Sequence, residues 1–477
     1  MKRLIPQDNV LALVHSDEYA NWVFDPSHPT QGRRFTNAAN RLRTLAPELG
    51  VDLVEIEADY FPTFDQLQRA HTLEHIERTL LDGQSGEWEG TRRDLGKTAL
   101  RMAGGTILAA EALLQGRAHT AVNFAGAKHH AMREHSSGFC VFNDFAIAAH
   151  YVLGSKREIY RPISKKMGKV RRIAIFDMDA HHGDGTEKLL QDSFRIFTMS
   201  VHDSSIFPGT GKYDEPDFHC FNRPLKPGSG DQALDSAASD FVLFAERFMP
   251  DMIFIAMGAD GHESDPMSTL NYTTEGMVQA VRDVRRGFPE VPMLLGGAGG
   301  YQPDDITPEV WARMAIAAAT PVPEDDPYCV IALTDIGYLD DPDEWGMEPV
   351  DEYSDHRFHD HFDQHAHLFA PDENDELEAN TSQVQSPPET WIAPADPENE
   401  HRWRPAQPGQ LKPGQRVRVR RDAFTETLGP RHNGRICEVI RINYGDVICR
   451  SIDDREPVLD GTHYSPHDLE TWSEEDE

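Results

Sequence analysis

Cysteine is scarce in this sequence: there are five among 477 residues, and none forms a CxxC pair. Dispersed cysteines in an odd number favour reduced thiols in a cytoplasmic protein over a disulfide framework. Long apolar runs are also lacking, so no membrane-spanning helix is predicted. The charged start of the chain precedes a short, broken apolar stretch, which is not typical of a signal peptide.

Positive charge is outweighed in the chain, since 46 lysines and arginines face 80 aspartates and glutamates. The net charge of −34 argues against attraction of the whole chain to nucleic acid or an anionic membrane. Two interpretations fit this acidity. In one, the negative charge attracts a cationic substrate such as a lysine-rich peptide or a polyamine. In the other, the charge only keeps the protein soluble.

Short apolar runs alternate with helical patterns over roughly the first 340 residues. Buried parallel strands are predicted in "RRIAIFDMD", "FRIFTMSVH", "DMIFIAMGAD", "VPMLLGGAGG" and "YCVIALTD". Helices are predicted in "RMAGGTILAAEALLQG" and "ALDSAASDFVLFAERFM". The alternation indicates an α/β fold with an open parallel sheet, in which functional groups gather at the carboxyl ends of the strands.

Composition divides the chain into three predicted regions. Residues 1–345 form the large α/β domain, and residues 346–405 form an acidic tail and linker rich in histidine and proline. Residues 406–477 alternate strand patterns with glycine turns, which favours a small SH3-like β-barrel. Its arginines indicate either a docking surface for protein or nucleic acid or a charged strand face; they are Arg416, Arg418, Arg420, Arg421, Arg431, Arg435 and Arg441.

The segment "DMDAHHGDGT" concentrates metal-ligand residue types directly after an apolar run. If the strand continues through it, Asp177, Asp179 and His181 point to one side. Carboxylates and imidazoles are standard ligands of Zn²⁺ and similar ions, and a catalytic site usually takes three protein ligands. Asp260, at the end of "AMGAD", is the best third ligand, although an aspartate there is also typical of a helix N-cap.

Hydrolysis at such a site also needs an acid, a base and an oxyanion donor. The segment "AKHHA" supplies His129 and His130, and Asp177 and Asp184 are available to orient them. Tyr301 follows the glycine-rich "GGAGG" and could place its hydroxyl on a developing oxyanion. The histidine pair and Tyr301 are weak signals when taken alone. Together with the candidate metal ligands they favour a hydrolytic site.

The motifs "HHA", "SGFCVFND", "DMDAHHGDGT", "IFPGTG", "GAD…DPM" and "GGAGGY" occur in the order found in the histone deacetylase superfamily. Residues 10 to 340 resemble that superfamily, which includes bacterial acetoin-utilisation deacetylases and acetylpolyamine amidohydrolases. The resemblance implies an arginase-like open parallel sheet flanked by helices. It also implies a metal-dependent deacetylase, a hydrolase acting on linear amides.

The resemblance implies a role for each matching residue. Asp179, His181 and Asp260 would hold zinc, with ferrous iron as the alternative metal. His129 and His130 would be the catalytic histidines, with Asp177 and Asp184 behind them and Tyr301 polarising the carbonyl. The substrate channel would be lined by Gly138, Phe139, Phe207 and Met267. A structural potassium ion would be held by Asp177, Asp179, His181, Ser200 and Val201.

Some positions depart from the family pattern or leave the substrate open. Lys128 stands before the histidine pair where many relatives have other residues, and it could alter the local field. Met267 resembles deacetylases of acyl-lysine, whereas relatives specialised for acetylpolyamines can carry glutamate there. A carboxylate at the rim, which would hold the substrate backbone, is expected at Glu89 or Asp94.

The expected function is therefore removal of acetyl or short acyl groups from lysine side chains of proteins. Deacetylation of small amines such as acetylpolyamines is the alternative, and a non-catalytic homologue is a further one. A binuclear manganese hydrolase of arginase type would need more bridging aspartates. The expected partners are an acetylated protein or amine and, through the barrel, protein or nucleic acid; an oligomer is compatible with the sequence.

Overall fold

Strands and helices alternate through the first part of the chain, as the sequence predicts. The computed structural model describes residues 9–161 and 166–323, and beyond them six strand segments between residues 403 and 472. Contacts divide the chain into two compact units, residues 1–371 and 372–477.

The strands of the first unit are β1 (Val10–His15), β2 (Asp52–Glu57), β3 (Thr120–Asn123), β4 (Ile159–Arg161), β5 (Lys166–Gly168), β6 (Ile173–Asp177), β7 (Ile196–Asp203), β8 (Cys220–Leu225), β9 (Met252–Ala256) and β10 (Met293–Gly296). All except β4 and β5 form one sheet in the order β2-β1-β3-β10-β9-β6-β7-β8. Every neighbouring pair in it runs parallel. The strands β4 and β5 pair with each other in an antiparallel ladder.

The helices are α1 (Arg33–Glu48), α2 (Phe64–Gln68), α3 (Leu73–Leu80), α4 (Arg93–Leu114), α5 (Asp144–Gly154), α6 (Asp184–Leu190), α7 (Asp231–Phe248), α8 (Thr274–Gly287) and α9 (Ile306–Ala319). In one row α1 packs on α9, α9 on α8 and α8 on α7, while α4 packs on α5, β1 and β3. All residues of β6, β9 and β10 are buried. Helix-covered parallel strands must be apolar throughout, which is why these strands have continuous hydrophobic sequences.

The structure confirms the predicted α/β fold, an open parallel sheet flanked by helices. The predicted strands in "RRIAIFDMD", "FRIFTMSVH", "DMIFIAMGAD" and "VPMLLGGAGG" are β6, β7, β9 and β10. The two predicted helices are α4 and α7. Among the described helices, none has both the length and the apolar character that a bilayer crossing requires.

The second unit contains an antiparallel sheet of six strands in the order β11-β16-β12-β13-β14-β15. The strands are β11 (Trp403–Pro405), β12 (Arg416–Val419), β13 (Ile436–Asn443), β14 (Asp446–Ser451), β15 (Thr462–Tyr464) and β16 (Leu469–Trp472). An SH3-like barrel stays a prediction.

Several predictions for the later chain lie outside the described residues. They are the strand "YCVIALTD", nearly all of the 346–405 linker, and Arg420, Arg421, Arg431 and Arg435 of the basic cluster. The three predicted domain boundaries likewise stay predictions.

Candidate active site

The candidate site lies at the carboxyl ends of four adjacent strands, β3, β10, β9 and β6. His129 and His130 follow β3, Tyr301 follows β10, and Asp260 follows β9. Parallel strands end on the same edge of a sheet, so residues distant in sequence meet there.

Asp179, His181 and Asp260 form a buried group suited to a metal ion. Their ligand atoms all lie within 4.8 Å of one another. His181 Nδ1 lies 3.0 Å from an Asp179 oxygen and 2.9 Å from an Asp260 oxygen. Two carboxylates and an imidazole are a donor set for Zn²⁺ or Fe²⁺.

The strand does not continue through this group, because β6 ends at Asp177. In the following turn the Met178 N–H donates to the Ala256 carbonyl, and the Ala180 carbonyl accepts from the Asp203 N–H. The turn separates the two aspartates: Asp179 faces His181 and Asp260, whereas Asp177 faces His129. A continuous strand would have placed all three predicted residues on one face.

Backbone N–H groups fix the two carboxylates of this group. The Gly299 N–H donates to Asp179 at 2.6 Å, and the Ala180 N–H donates to Asp260 at 2.9 Å. A Cβ at Gly299 would lie 2.1 Å from an Asp260 oxygen, so no larger residue fits there without displacing that carboxylate.

The electrostatics of this group also fit a cation. Burial alone would raise the pKa of Asp179, but the charges of His129 and His181 lower it below its ordinary value. Burial and the charge of Asp179 raise the pKa of Asp260. Two buried carboxylates so close together require a positive partner, which a divalent ion would supply.

Each histidine of the tandem pair has its own carboxylate. His129 Nδ1 lies 2.7 Å from Asp177, and His130 Nδ1 lies 2.7 Å from Asp184, the first residue of α6. A carboxylate on Nδ1 fixes that nitrogen as the protonated one and leaves Nε2 for the site. His129 Nε2 accordingly points toward Asp179, at 3.8 Å.

The two imidazoles differ in their affinity for a proton, although both are buried. Burial lowers the pKa of His129, but the charges of Asp177 and Asp179 outweigh it and raise the value to about 9. Burial and the charge of His129 lower the pKa of His130 to about 4. Of these two rings, whose centroids are 4.0 Å apart, His129 therefore has the higher affinity for a proton.

Tyr301 is positioned by a hydrogen bond of its backbone and by a contact between its ring and Arg34. Its N–H donates to Asp265 at 2.7 Å, and the Arg34 guanidinium lies 5.3 Å from its ring centroid. Arg34 also donates to the Gly300 carbonyl at 2.6 Å. Burial raises the pKa of Tyr301 well above its usual value, so the hydroxyl stays protonated as a hydrogen-bond donor.

Two aromatic rings stand next to these groups. The Phe139 ring lies 6.1 Å from Tyr301, and the Phe207 ring lies 5.0 Å from His130. Phe207 is 49% exposed, whereas the histidines are buried, so the opening lies on its side. Gly138 and Phe139 have positive φ angles of 53° and 64°, and a Cβ at Gly138 would lie 2.4 Å from the His130 ring.

The other predicted residues are near the site but make different contacts. Met267 is half-buried, and its N–H donates to Asp265, the same carboxylate that accepts from Tyr301. Asp177 lies opposite Ser200 in the β6–β7 ladder, and Ser200 and Val201 are buried. The structure thus brings the residues expected at a potassium site close together, without testing that role.

Sequence reasoning missed three residues that position the site: Arg34, Asp265 and Glu87. Glu87 accepts from the Phe139 N–H at 2.7 Å, and burial raises its pKa. The rim carboxylate predicted at Glu89 or Asp94 stays a prediction: Glu89 is exposed, and Asp94 pairs with Arg92 at 2.7 Å. The segment "GEWEG" contains both Glu87 and Glu89. The sequence alone does not show which of the two bonds the Phe139 backbone.

Comparison with known proteins agrees with this architecture. The histone deacetylase domain family matches residues 7–317, which is most of the first unit. The chain belongs to this family, and it is therefore a deacetylase of the hydrolase class.

Individual relatives match between 57% and 64% of the chain. The acetoin utilization protein AcuC of Bacillus subtilis (strain 168) is 29% identical over 328 residues, covering 63% of this chain and 80% of that protein. AcuC of Staphylococcus aureus (strain MRSA252) is 26% identical over 333 residues, covering 64% and 81%. A probable deacetylase of Archaeoglobus fulgidus is 29% identical over 287 residues, covering 57% and 75%.

Proposed function

We propose that this deacetylase is zinc-dependent and removes acetyl or short acyl groups from lysine side chains of proteins. The observation that carries the proposal is the tandem histidine pair, with one carboxylate behind each ring, facing the Asp179–His181–Asp260 group. Acetylated small amines are the alternative substrates, and the acidity of the chain is compatible with them.

Asp179, His181 and Asp260 would hold the ion, and a bound divalent cation would supply Lewis-acid polarisation of the substrate carbonyl. His130 is the base for the attacking water, because Asp184 holds its Nδ1 proton and leaves Nε2 to accept another. A histidine of the pair then donates a proton to the leaving amine. Tyr301 donates its hydroxyl hydrogen bond to the developing oxyanion.

The channel residues support acyl-lysine as the substrate. Phe139 and Phe207 offer two rings between which the aliphatic part of a lysine side chain can lie. Met267 provides no charge for the second ammonium of a polyamine.

The test compares hydrolysis of an acetyl-lysine peptide and of acetylputrescine, before and after treatment with a chelator. We expect the peptide to be the better substrate, chelation to abolish turnover, and zinc to restore it. Asp260→Asn should lose both bound metal and turnover. Asp283→Asn is the matched control and should retain both, because this half-buried carboxylate pairs with Arg286 of the same helix, α8.

The substrate class and the metal requirement would be contradicted by different results. Faster turnover of acetylputrescine would favour the small-amine alternative. Full activity in the presence of chelator, with no metal found by mass spectrometry, would remove the metal from the mechanism.

A further inference from the structure

Two buried cations, Arg34 and Lys128, lie together beside the candidate site. Arg34 is 3% exposed and Lys128 is 5% exposed. Both rest on the same ring, since the Arg34 guanidinium lies 4.9 Å and the Lys128 ammonium 5.0 Å from the Phe35 centroid. Lys128 directly precedes the histidine pair, and the proposed mechanism makes no use of its side chain.

Neither cation has an ionic partner within residues 9–161 and 166–323. Among the described residues, no carboxylate oxygen lies within 4.0 Å of a side-chain nitrogen of Arg34 or Lys128. Arg34 Nε is buried and has no hydrogen-bond partner in that same part of the chain, and the guanidinium donates only to the Gly300 carbonyl. Asp144 accepts from the backbone N–H of Lys128, not from its ammonium.

An unpaired buried charge is unfavourable, and a second like charge near the same ring adds to this cost. Burial, followed by the charge of Arg34, lowers the pKa of Lys128 to about 8. An anion between the two groups would remove this cost by forming charge-assisted hydrogen bonds with both.

The two cations are as deeply buried as the histidine pair, and the charge of Asp179 acts on both of them. Lys128 directly precedes His129, and Arg34 contacts both the Tyr301 ring and the carbonyl before it. The exposed Phe207 marks the opposite, outer end. An acyl group whose carbonyl reaches Tyr301 would therefore direct its far end toward Lys128 and Arg34.

We propose that Lys128 and Arg34 form a carboxylate pocket at the inner end of the acyl channel, so that the enzyme prefers acyl groups with a terminal carboxylate, such as malonyl, over neutral groups of equal size. The proposal rests on the proposed deacylation. The reaction is the same hydrolysis: water adds across the amide, the C–N bond breaks, and a dicarboxylate and the free lysine amine are released. A neutral alkyl end in the pocket would instead leave both cations without an anion.

The test measures kcat/KM for one peptide carrying acetyl-lysine, malonyl-lysine or isovaleryl-lysine. Isovaleryl matches malonyl in size and shape, with two methyl groups in place of the carboxylate oxygens. The malonyl peptide should exceed the isovaleryl peptide by about tenfold or more, the magnitude of a modest ion pair in a buried site. Lys128→Met and Lys128→Gln should lower this ratio by about the same factor, and Lys128→Arg should keep it above one.

Lys226→Met removes an exposed lysine far along the chain and is the control for the net charge; it should leave the ratio unchanged. Equal rates on malonyl and isovaleryl peptides in the unmodified enzyme would overturn the proposal. An equal loss of kcat/KM on all three acyl peptides in Lys128→Met and Lys128→Gln would also overturn it, because such a loss would indicate a structural role for Lys128. Failure of the unmodified, metal-loaded enzyme on the acetyl peptide as well would contradict the proposed function instead.

Discussion

The most local features of the site were the most predictable from sequence. The candidate metal ligands, the histidine pair and Tyr301 lie in short motifs whose residue types indicate their chemistry. Arg34 could not be found in this way, because its partner Gly300 lies 266 residues further along the chain. The separation of Asp177 from Asp179 was missed for a related reason: the end of β6 depends on the Ala256 and Asp203 contacts of the turn, which no local pattern encodes.

The single hydroxyl of Tyr301 gives a prediction at the residue scale. Tyr301→Phe should lower kcat by about a hundredfold or more, since loss of one oxyanion donor typically has that effect. The ring contact with Arg34 and the backbone bond to Asp265 do not need the hydroxyl, so bound metal should be unchanged. Steady-state kinetics and metal analysis of the same preparation check both statements. A near-normal kcat would exclude Tyr301 from the mechanism.

At the scale of elements, strand identity was predictable and strand order was not. The apolar runs of β6, β7, β9 and β10 were sufficient to identify them as buried strands. Nothing in those runs shows that β10 lies between β3 and β9, because this order depends on how the helices pack. The order in turn places the turn that carries Tyr301 between the turns that carry His129 and Asp260.

One side chain connects three elements near the histidine pair. Asp144, the first residue of α5, accepts from the N–H groups of Ala127 and Lys128 and from the Thr106 hydroxyl of α4. Asp144→Asn should lower the free energy of unfolding by about 2–3 kcal/mol, as for hydrogen bonds to charged groups. It should also lower kcat, because the bonded segment leads directly into His129. Urea titration and steady-state kinetics provide the two measurements.

A matched control exists at the start of another helix. Asp231 begins α7 and accepts from the N–H and hydroxyl of Thr273, which caps α8. Asp231→Asn should lower stability similarly while leaving kcat unchanged. Equal kinetic effects in the two variants would mean that Asp144 contributes to stability only and does not position the histidines.

At the scale of the whole molecule, buried and half-buried histidines affect how stability responds to acid. Burial lowers the pKa of His71 and His119 to about 3, and of His75 and His150 to about 4. These rings are neutral when the chain is folded, whereas in the unfolded chain they protonate near pH 6.5. Between pH 6.5 and about 4 the unfolded state therefore binds more protons, so stability falls as pH falls through this window.

We accordingly expect the free energy of unfolding to decrease markedly from pH 7 to pH 5. Urea titrations followed by circular dichroism at several pH values measure this slope, to which each such histidine adds up to about 1.4 kcal/mol per pH unit. His71→Asn should lower stability at pH 7, since His71 bonds the Met132 carbonyl and the Asn143 N–H, and should also reduce the slope. An unchanged slope would contradict the neutral state assigned to His71.

The strand order has a consequence for the chain as it leaves the ribosome. The eighth sheet strand to be synthesised, β10, occupies an interior position and joins β2-β1-β3 to β9-β6-β7-β8. Until residues 293–296 are available, β3 and β9, which are fully buried in the complete sheet, each present an edge of unpaired backbone groups. Nascent chains stalled before that point should be prone to aggregation and should bind chaperones. We expect chaperone release only after β10 has paired with both β3 and β9.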